Sequence, residues 1–305
     1  MAGWLASFSY LRKRSNAPLL KGLLQQHEAG VPTMVDSGAF TSNASGEPIS
    51  LEEYGQFVET NQDRLGHFVQ LDVIRSKEEA RTNLAWHLER GHRIMAVLTS
   101  DAPAADAPEL CEGADGLCVA GNPVLSRANY FGNAKNLKEA TANFWARIAY
   151  VRSVCPTARL HALGVSGKKD ALMSSLDSCD SSTWGVVGRF GIFLVRRDVF
   201  VGVEQVLRYA KCAGELARKL GLDYGLTAAK LKDRSHKTCG VETRIAVCVA
   251  EWVRYAWDCA RMGLTFYQAL TTWQHFEYFT AAARLLGYKS WDELFLPESI
   301  KKGRR

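Results

Sequence analysis

Three aspartates, Asp36, Asp72 and Asp180, stand far apart in the chain, and the first two close an apolar run. Thr33-Met34-Val35 leads into Asp36-Ser37-Gly38, His67-Phe68-Val69-Gln70-Leu71 leads into Asp72, and Ser178-Cys179 leads into Asp180. Two further apolar runs close on glycine, at Gly121 and at Gly164 with Gly167. An apolar run that ends in polar residues is how a strand presents chemistry to a cleft. Carboxylates gathered in one cleft repel, so their pKa values spread: one stays ionised as a nucleophile while another holds a proton. Any one of these acids alone also reads as a helix cap or a loop acid. The set of three, with glycine turns beside it, points to a shared site.

Other chemistries find less support. Cys111 and Cys118 are not spaced as a zinc knuckle, and the chain has no CxCxxC, HExxH or paired CxxC, so no metal is expected. Cys179 beside Asp180 reads as a buried thiol rather than a nucleophile, with no histidine nearby in sequence. His161 lies within an apolar run and reads as a satisfied core histidine. Gly164-Val165-Ser166-Gly167 ahead of a helix-like segment could cradle an anion on backbone N–H groups. Without GxxxxGK[ST] or GxGxxG, no nucleotide cofactor is indicated.

The elements that must position these residues alternate. Strand-like runs fall near 4–9, 33–36, 67–72, 93–98, 116–120, 159–164, 178–180 and 192–195. Helix-like stretches lie between several of them, at 51–61 behind a Ser50/Glu53 capping pattern, at 77–90 between Ser76 and Gly91, at 136–154 and at 168–176. Alternating strands and helices predict parallel βα units, and eight strands predict a closed (β/α)8 TIM-like barrel over 1–200. From 201 to 305 the pattern turns helical, with helices expected at 203–220, 243–262 and 265–286: a helical extension whose aromatics read as packing. Packing, a homodimer contact and DNA contact are all open roles for it.

The 305 residues carry a net charge of +6 and are 47% hydrophobic, ordinary for a soluble globular protein with a weak lean towards a polyanionic partner. Basic clusters occur at Arg12-Lys13-Arg14, Arg196-Arg197 and near Lys301 and Arg304. No apolar stretch approaches a membrane span, and the start of the chain turns from apolar to basic, the reverse of a secretory signal. A cytoplasmic protein is expected, and the eight scattered cysteines do not form a disulfide framework.

Taken together, the runs over roughly 30–190 resemble the queuine/archaeosine tRNA-guanine transglycosylase superfamily. Val35-Asp36-Ser37-Gly38-Ala39-Phe40 resembles its DSGGFQ-type motif and Leu71-Asp72 its second base-recognising acid. Val119-Ala120-Gly121 stands where the family has a glycine pair, His161-Ala162-Leu163-Gly164-Val165 is similar to its YLMGVG strand, and Cys179-Asp180-Ser181 stands where it keeps the nucleophilic aspartate. The chain departs from the family in lacking the CxCxxC…H zinc site, in reading Ser181-Ser182-Thr183-Trp184 after Asp180 instead of a TRxGR-like continuation, and in having the single Gly121. With its small size and DSGAF variant, it looks most like the phage-encoded branch, which is linked to placing 7-deazaguanine derivatives in DNA.

The resemblance implies a base-exchanging pentosyltransferase. Asp180 would be the nucleophile and Asp36 the proton shuttle, while Asp72 would accept from the base and Ser37, Gly121 and Gly164 would complete the pocket. The implied partners are nucleic acid, DNA ahead of tRNA, and a free 7-deazaguanine such as a preQ0-like compound. No cofactor is implied. Arg189, Arg196 and Arg197 are candidates for phosphate contact, with surface charge as an equal reading. The same acids leave a tRNA enzyme, a barrel nucleosidase or glycosidase, and a non-catalytic nucleic-acid binder as alternatives.

Overall fold

A computed structural model describes residues 2–73, 76–120, 137–165, 175–181, 192–195, 199–202, 241–261, 263–273 and 275–288. Ten strands are seen among them. β1 (Ala2–Ser7), β2 (Thr33–Asp36), β3 (His67–Phe68), β4 (Met95–Leu98), β5 (Gly116–Val119), β6 (Leu160–Ala162), β7 (Ser178–Ser181) and β10 (Thr265–Leu270) form one sheet; β8 (Ile192–Val195) and β9 (Val199–Gly202) form another. The eight-stranded sheet runs in the order β3-β2-β1-β10-β7-β6-β5-β4, with every pairing parallel. A parallel bridge between Val69 and Met95 joins the two ends and closes the barrel. This is the (β/α)8 architecture that the alternating pattern predicts.

The closing seam is short in backbone and is completed by a side chain. Gln70 N–H donates to the Met95 carbonyl at 3.0 Å, while its side-chain Oε1 accepts from Val97 N–H at 3.0 Å. Its Nε2 donates to the Ala80 carbonyl at 2.9 Å, so one buried glutamine takes the place of missing ladder bonds.

Seven of the eight expected strands are barrel staves, and the eighth is a correction. Ile192–Val195 pairs antiparallel with Val199–Gly202, outside the barrel sheet. The eighth stave is Thr265–Leu270, in a stretch expected to be helical, and it is hydrogen-bonded between β1 and β7. The physical reason is burial on both faces. A fully covered parallel strand shows no polar alternation, so Phe266, Tyr267, Ala269 and Leu270, broken only by the buried Gln268, do not separate by periodicity from a helix. One compact unit comprises Met1–Ser181 and Ala260–Thr272, the other Ser182–Cys259 and Trp273–Arg305.

Local signals place the helices well. The chain forms α1 (Phe8–Leu11), α2 (Ala17–Glu28), α3 (Ala39–Ser45), α4 (Leu51–Asn61), α5 (Lys77–Glu89), α6 (Ala107–Cys111) and α7 (Leu137–Val154) in the barrel unit. Ser50 Oγ accepts from Glu53 N–H at 2.9 Å, and Ser76 Oγ from Glu79 N–H at 3.4 Å, the first-turn caps expected at both sites. In the second unit lie most of α8 (Val241–Arg261) and all of α9 (His275–Leu285), where Trp273 packs on Phe276 with ring centroids 4.6 Å apart. The expected helices at 168–176 and 203–220 fall mostly or wholly outside the described residues. Among the described residues no helix is long and apolar enough to cross a membrane.

Candidate active site

The barrel interior is an apolar plug with acid above it. Leu5, Met34, Val69, Met95, Val97, Cys118, Tyr267 and Ala269 form one buried cluster, with Ala120 and Leu163 packed against it. Strand alternation carries the same inward face upward from Met34 to Asp36. Register carries it sideways: Cys118 lies beside His161, His161 beside Ser178, and Asp180 beside Tyr267. Asp36, Asp180, His161 and Ser178 therefore all stand on the interior face of the staves. Asp36 and Asp180 sit at the C-terminal ends of β2 and β7, the end at which barrels of this kind hold their chemistry.

Asp36 is set by a glycine turn. Gly38 N–H donates to Asp36 Oδ2 at 3.1 Å. Gly38 has φ +88°, and a Cβ there would stand 2.6 Å from Ser7 Oγ and 2.9 Å from Ser9 N. Both the left-handed backbone and the close approach demand glycine at this corner, before α3 begins.

Asp72 is held from the helices. Tyr54 of α4, wholly buried, donates its hydroxyl to the Val69 carbonyl at 2.6 Å, and Asn83 of α5 donates to the Leu71 carbonyl at 2.8 Å. These two clamps fix the segment that delivers Asp72. Its Oδ1 accepts from Ser37 Oγ at 3.4 Å, which ties the second acid to the turn of the first. A cavity of about 490 Å³ opens beside it, lined among others by Ser42, Asn43, Ile49, Leu71, Asp72 and Asn83.

Asp180 is the best furnished of the three. Its Oδ1 accepts from Gly164 N–H at 2.7 Å and meets His161 Nε2 at 3.2 Å, and His161 Nδ1 lies 2.9 Å from Ser178 Oγ. Gly164, at φ +65°, turns the chain after β6 so that its N–H faces this carboxyl. His161 is buried, as expected for a core histidine, but its partner is a candidate catalytic acid. Sequence reasoning missed this role because the contact depends on the register of two staves. The signal was the short-range pattern: His161 and Leu163, like Ser178 and Asp180, fall on one face of their strands.

The electrostatics agree with three acids in one mouth. Loss of water pushes the Asp36 carboxyl up to about 7, and the charges of Asp72 and Asp180 push in the same direction. Burial likewise raises Asp72, to about 6, against the stabilising hydrogen bonds of its own backbone and of Ser37. The Cys118 thiol beneath them is held well above its ordinary value, first by burial and then by Asp36, Asp180 and Asp72, so it stays a neutral core thiol. Such a spread among neighbouring acids is a mark of a site for proton transfer.

The structure thus brings together Asp36, Ser37, Asp72, Gly164 and Asp180. Gly121, Arg189, Arg196 and Arg197 lie outside the described residues. Among the described residues no group of three or more His, Cys, Asp or Glu side chains could hold a metal ion. The molecule is a (β/α)8 barrel with an acidic cluster at the C-terminal rim of its staves.

No family model matches the chain, and no curated protein matches it. Among solved structures, a GH10 endoxylanase retrieved from a sugarcane soil metagenome is similar at 10% identity, covering 89% of this chain and 85% of its own, with a TM-score of 0.34. The fold assignment rests on the strand pairing itself.

Proposed function

We propose that this chain is a guanine transglycosylase of the queuine/archaeosine superfamily that exchanges guanine in DNA for a 7-deazaguanine derivative through a covalent aspartyl-nucleoside intermediate. One observation carries the reading. Asp36 and Asp180, far apart in sequence, stand on the same interior face at the same end of one barrel and feel each other's charge.

The chemistry needs this division of labour. A direct swap would crowd two bases at C1′, whereas a carboxylate nucleophile separates departure from arrival. Asp180 Oδ2 attacks C1′ as the C1′–N9 bond breaks, and the electron pair leaves with guanine. Asp36, whose carboxyl is pushed up to about 7 and so exchanges its proton near neutral pH, delivers that proton to the departing purine nitrogen. In the second half, Asp36 takes the proton from N9 of the incoming base, that nitrogen attacks C1′, and Asp180 departs as carboxylate. Asp72 accepts from the N–H edge that guanine and 7-deazaguanines share, which lets one pocket serve both. The cavity beside Asp72, with apolar walls and amide side chains, suits a flat polar base. Phe40 on the first turn of α3 is 58% exposed and offers a stacking face.

DNA is favoured over tRNA by the DSGAF motif and by the sequence that follows Asp180. A stacked nucleotide hides its C1′, so the target must be flipped or met single-stranded, at roughly a few kcal/mol. Arg189, Arg196 and Arg197 are the proposed phosphate contacts.

The test is nucleoside mass spectrometry of DNA and tRNA from cells that express the chain and are supplied with a 7-deazaguanine base. A 7-deaza-2′-deoxyguanosine derivative in DNA is expected. The modified base in tRNA alone would transfer the activity to the rival substrate. Its absence from both, together with release of free guanine when no incoming base is present, would make the protein a nucleosidase.

A further inference from the structure

We propose that His161 is a positioning residue that makes Asp180 a good leaving group, so that the histidine governs the second half of the exchange rather than the first. The inference rests on the transglycosylase reading and adds to it the residue that keeps the covalent intermediate from accumulating.

A carboxylate nucleophile in a double displacement has two opposed tasks: it must attack C1′ and then leave it. Donors on the carboxylate oppose the first task and assist the second, because they bind the ionised acid more strongly than the ester. Asp180 Oδ1 has two such donors, Gly164 N–H at 2.7 Å and His161 Nε2 at 3.2 Å. Among the described residues none donates to Oδ2, which leaves that oxygen to bond with the sugar. The Gly164 donor is backbone and invariant to substitution. The His161 donor is a side chain, and its proton is assigned by the acid it faces. An ionised Asp180 can only accept, so Nε2 carries a hydrogen. The Ser178 hydroxyl, 2.9 Å from Nδ1, then donates to that nitrogen and holds the ring in place. The ring is fully buried and packs at a steep angle on Tyr267, centroids 5.9 Å apart, which restrains it.

In the first step, Oδ2–C1′ forms, C1′–N9 breaks and Asp36 gives its proton to guanine. While the ester lasts, Oδ1 is a carbonyl oxygen and the Nε2–H bond to it is weak. In the second, N9 of the incoming base loses its proton to Asp36, N9–C1′ forms, Oδ2–C1′ breaks, and the electron pair returns to a carboxylate whose Oδ1 regains a strong bond from Nε2–H. The gain falls on departure.

The experiment uses the full chain, a guanine-containing single-stranded oligodeoxynucleotide and labelled free guanine as incoming base, so no knowledge of the natural 7-deazaguanine is needed. Denaturation-resistant adduct is followed as it forms, and again as excess guanine discharges it. In His161→Phe, discharge should slow by roughly ten- to a hundredfold, the usual worth of a hydrogen bond to a charged group. Formation should hold or rise, so adduct accumulates. His161→Gln, which returns an N–H donor, should recover discharge to within several-fold. If His161→Phe discharges at the wild-type rate, or if formation and discharge fall by the same factor, the leaving-group role is overturned and the transglycosylase reading stands. If the wild-type chain forms no adduct and exchanges no guanine, the reading itself fails and takes this inference with it. Should His161→Phe not fold by circular dichroism, Ser178→Ala replaces it: discharge about threefold slower with formation unchanged supports the proposal, and an unchanged discharge overturns it.

Discussion

The two ends of the barrel treat their acids in opposite ways. At the N-terminal end Asp177, ahead of β7, pairs with the Arg152 guanidinium at 2.7 Å and also accepts from Leu160 N–H at 2.8 Å. Asp115, ahead of β5, meets His67 at 2.9 Å, and Arg159 contacts the same imidazole. At the C-terminal end Asp36, Asp72 and Asp180 have only N–H and O–H donors and one buried imidazole, and among the described residues no Lys or Arg pairs with any of them. At the N-terminal end Asp177 is neutralised by a guanidinium and Asp115 is tied to an imidazole that burial keeps towards its neutral form, whereas the acids at the mouth have no Lys or Arg among the described residues to offset their charges. Burial first, and then the charges of Asp72 and Asp180, push the Asp36 carboxyl up to about 7, a shift of the kind found at functional sites.

The sharpest way to break this contrast is to remove the acid assigned the covalent bond. Asp180→Ala should leave no detectable guanine exchange and no denaturation-resistant adduct with nucleic acid, while circular dichroism shows a folded barrel. Asp180→Asn, which keeps an acceptor for Gly164 N–H, is the companion that separates lost chemistry from lost structure. Wild-type turnover in either would return Asp180 to the class of structural acids.

How much of this was readable in the chain follows from how local each signal is. Asp36 and Asp72 announce themselves because an apolar run, an acid and a helix start lie within a few residues. Ser50 and Ser76 declare their helices for the same reason. His161 gave no such notice: its partner arrives on the neighbouring stave, and only the Cys118–His161–Ser178 register reveals it. The eighth stave was harder still. Ser182–Cys259 intervenes between β7 and β10, and a strand buried on both faces lacks the alternation that marks a strand from sequence. Tertiary context, which decides both cases, is what a local pattern does not carry.

Asp36→Asn tests the contrast in two currencies at once. The proton shuttle is lost, so exchange should fall by roughly 10² or more. Stability should move the other way. Unfolded, Asp36 titrates at its ordinary 3.8; folded, it titrates near 7. The folded chain therefore holds the proton more tightly, and stability is lost as pH rises from 3.8 through about 7. The asparagine does not ionise and escapes that loss. Its thermal midpoint should exceed the wild type's at pH 8, and the two should converge towards pH 4. An equal rate, or an asparagine variant less stable at pH 8, would mean that the acid at the mouth is structural after all.

The smallest effect is expected at the other end. Arg152 ties Asp177 and the carbonyls of Ser175, Pro156 and Ala158 with one guanidinium, at 2.7 to 3.0 Å. Asp177 is half exposed, so water can replace much of what is lost, and Arg152→Met should cost about 1–2 kcal/mol. A thermal midpoint lower by a few degrees checks that, with the exchange rate per folded molecule unchanged. The unchanged rate is the informative half. Asp177 immediately precedes Ser178, so a slack N-terminal end could reach Asp180 through β7. If the rate falls together with the midpoint, the register of that stave is itself part of the catalytic device, and the division between a structural end and a chemical end gives way to one continuous strand serving both.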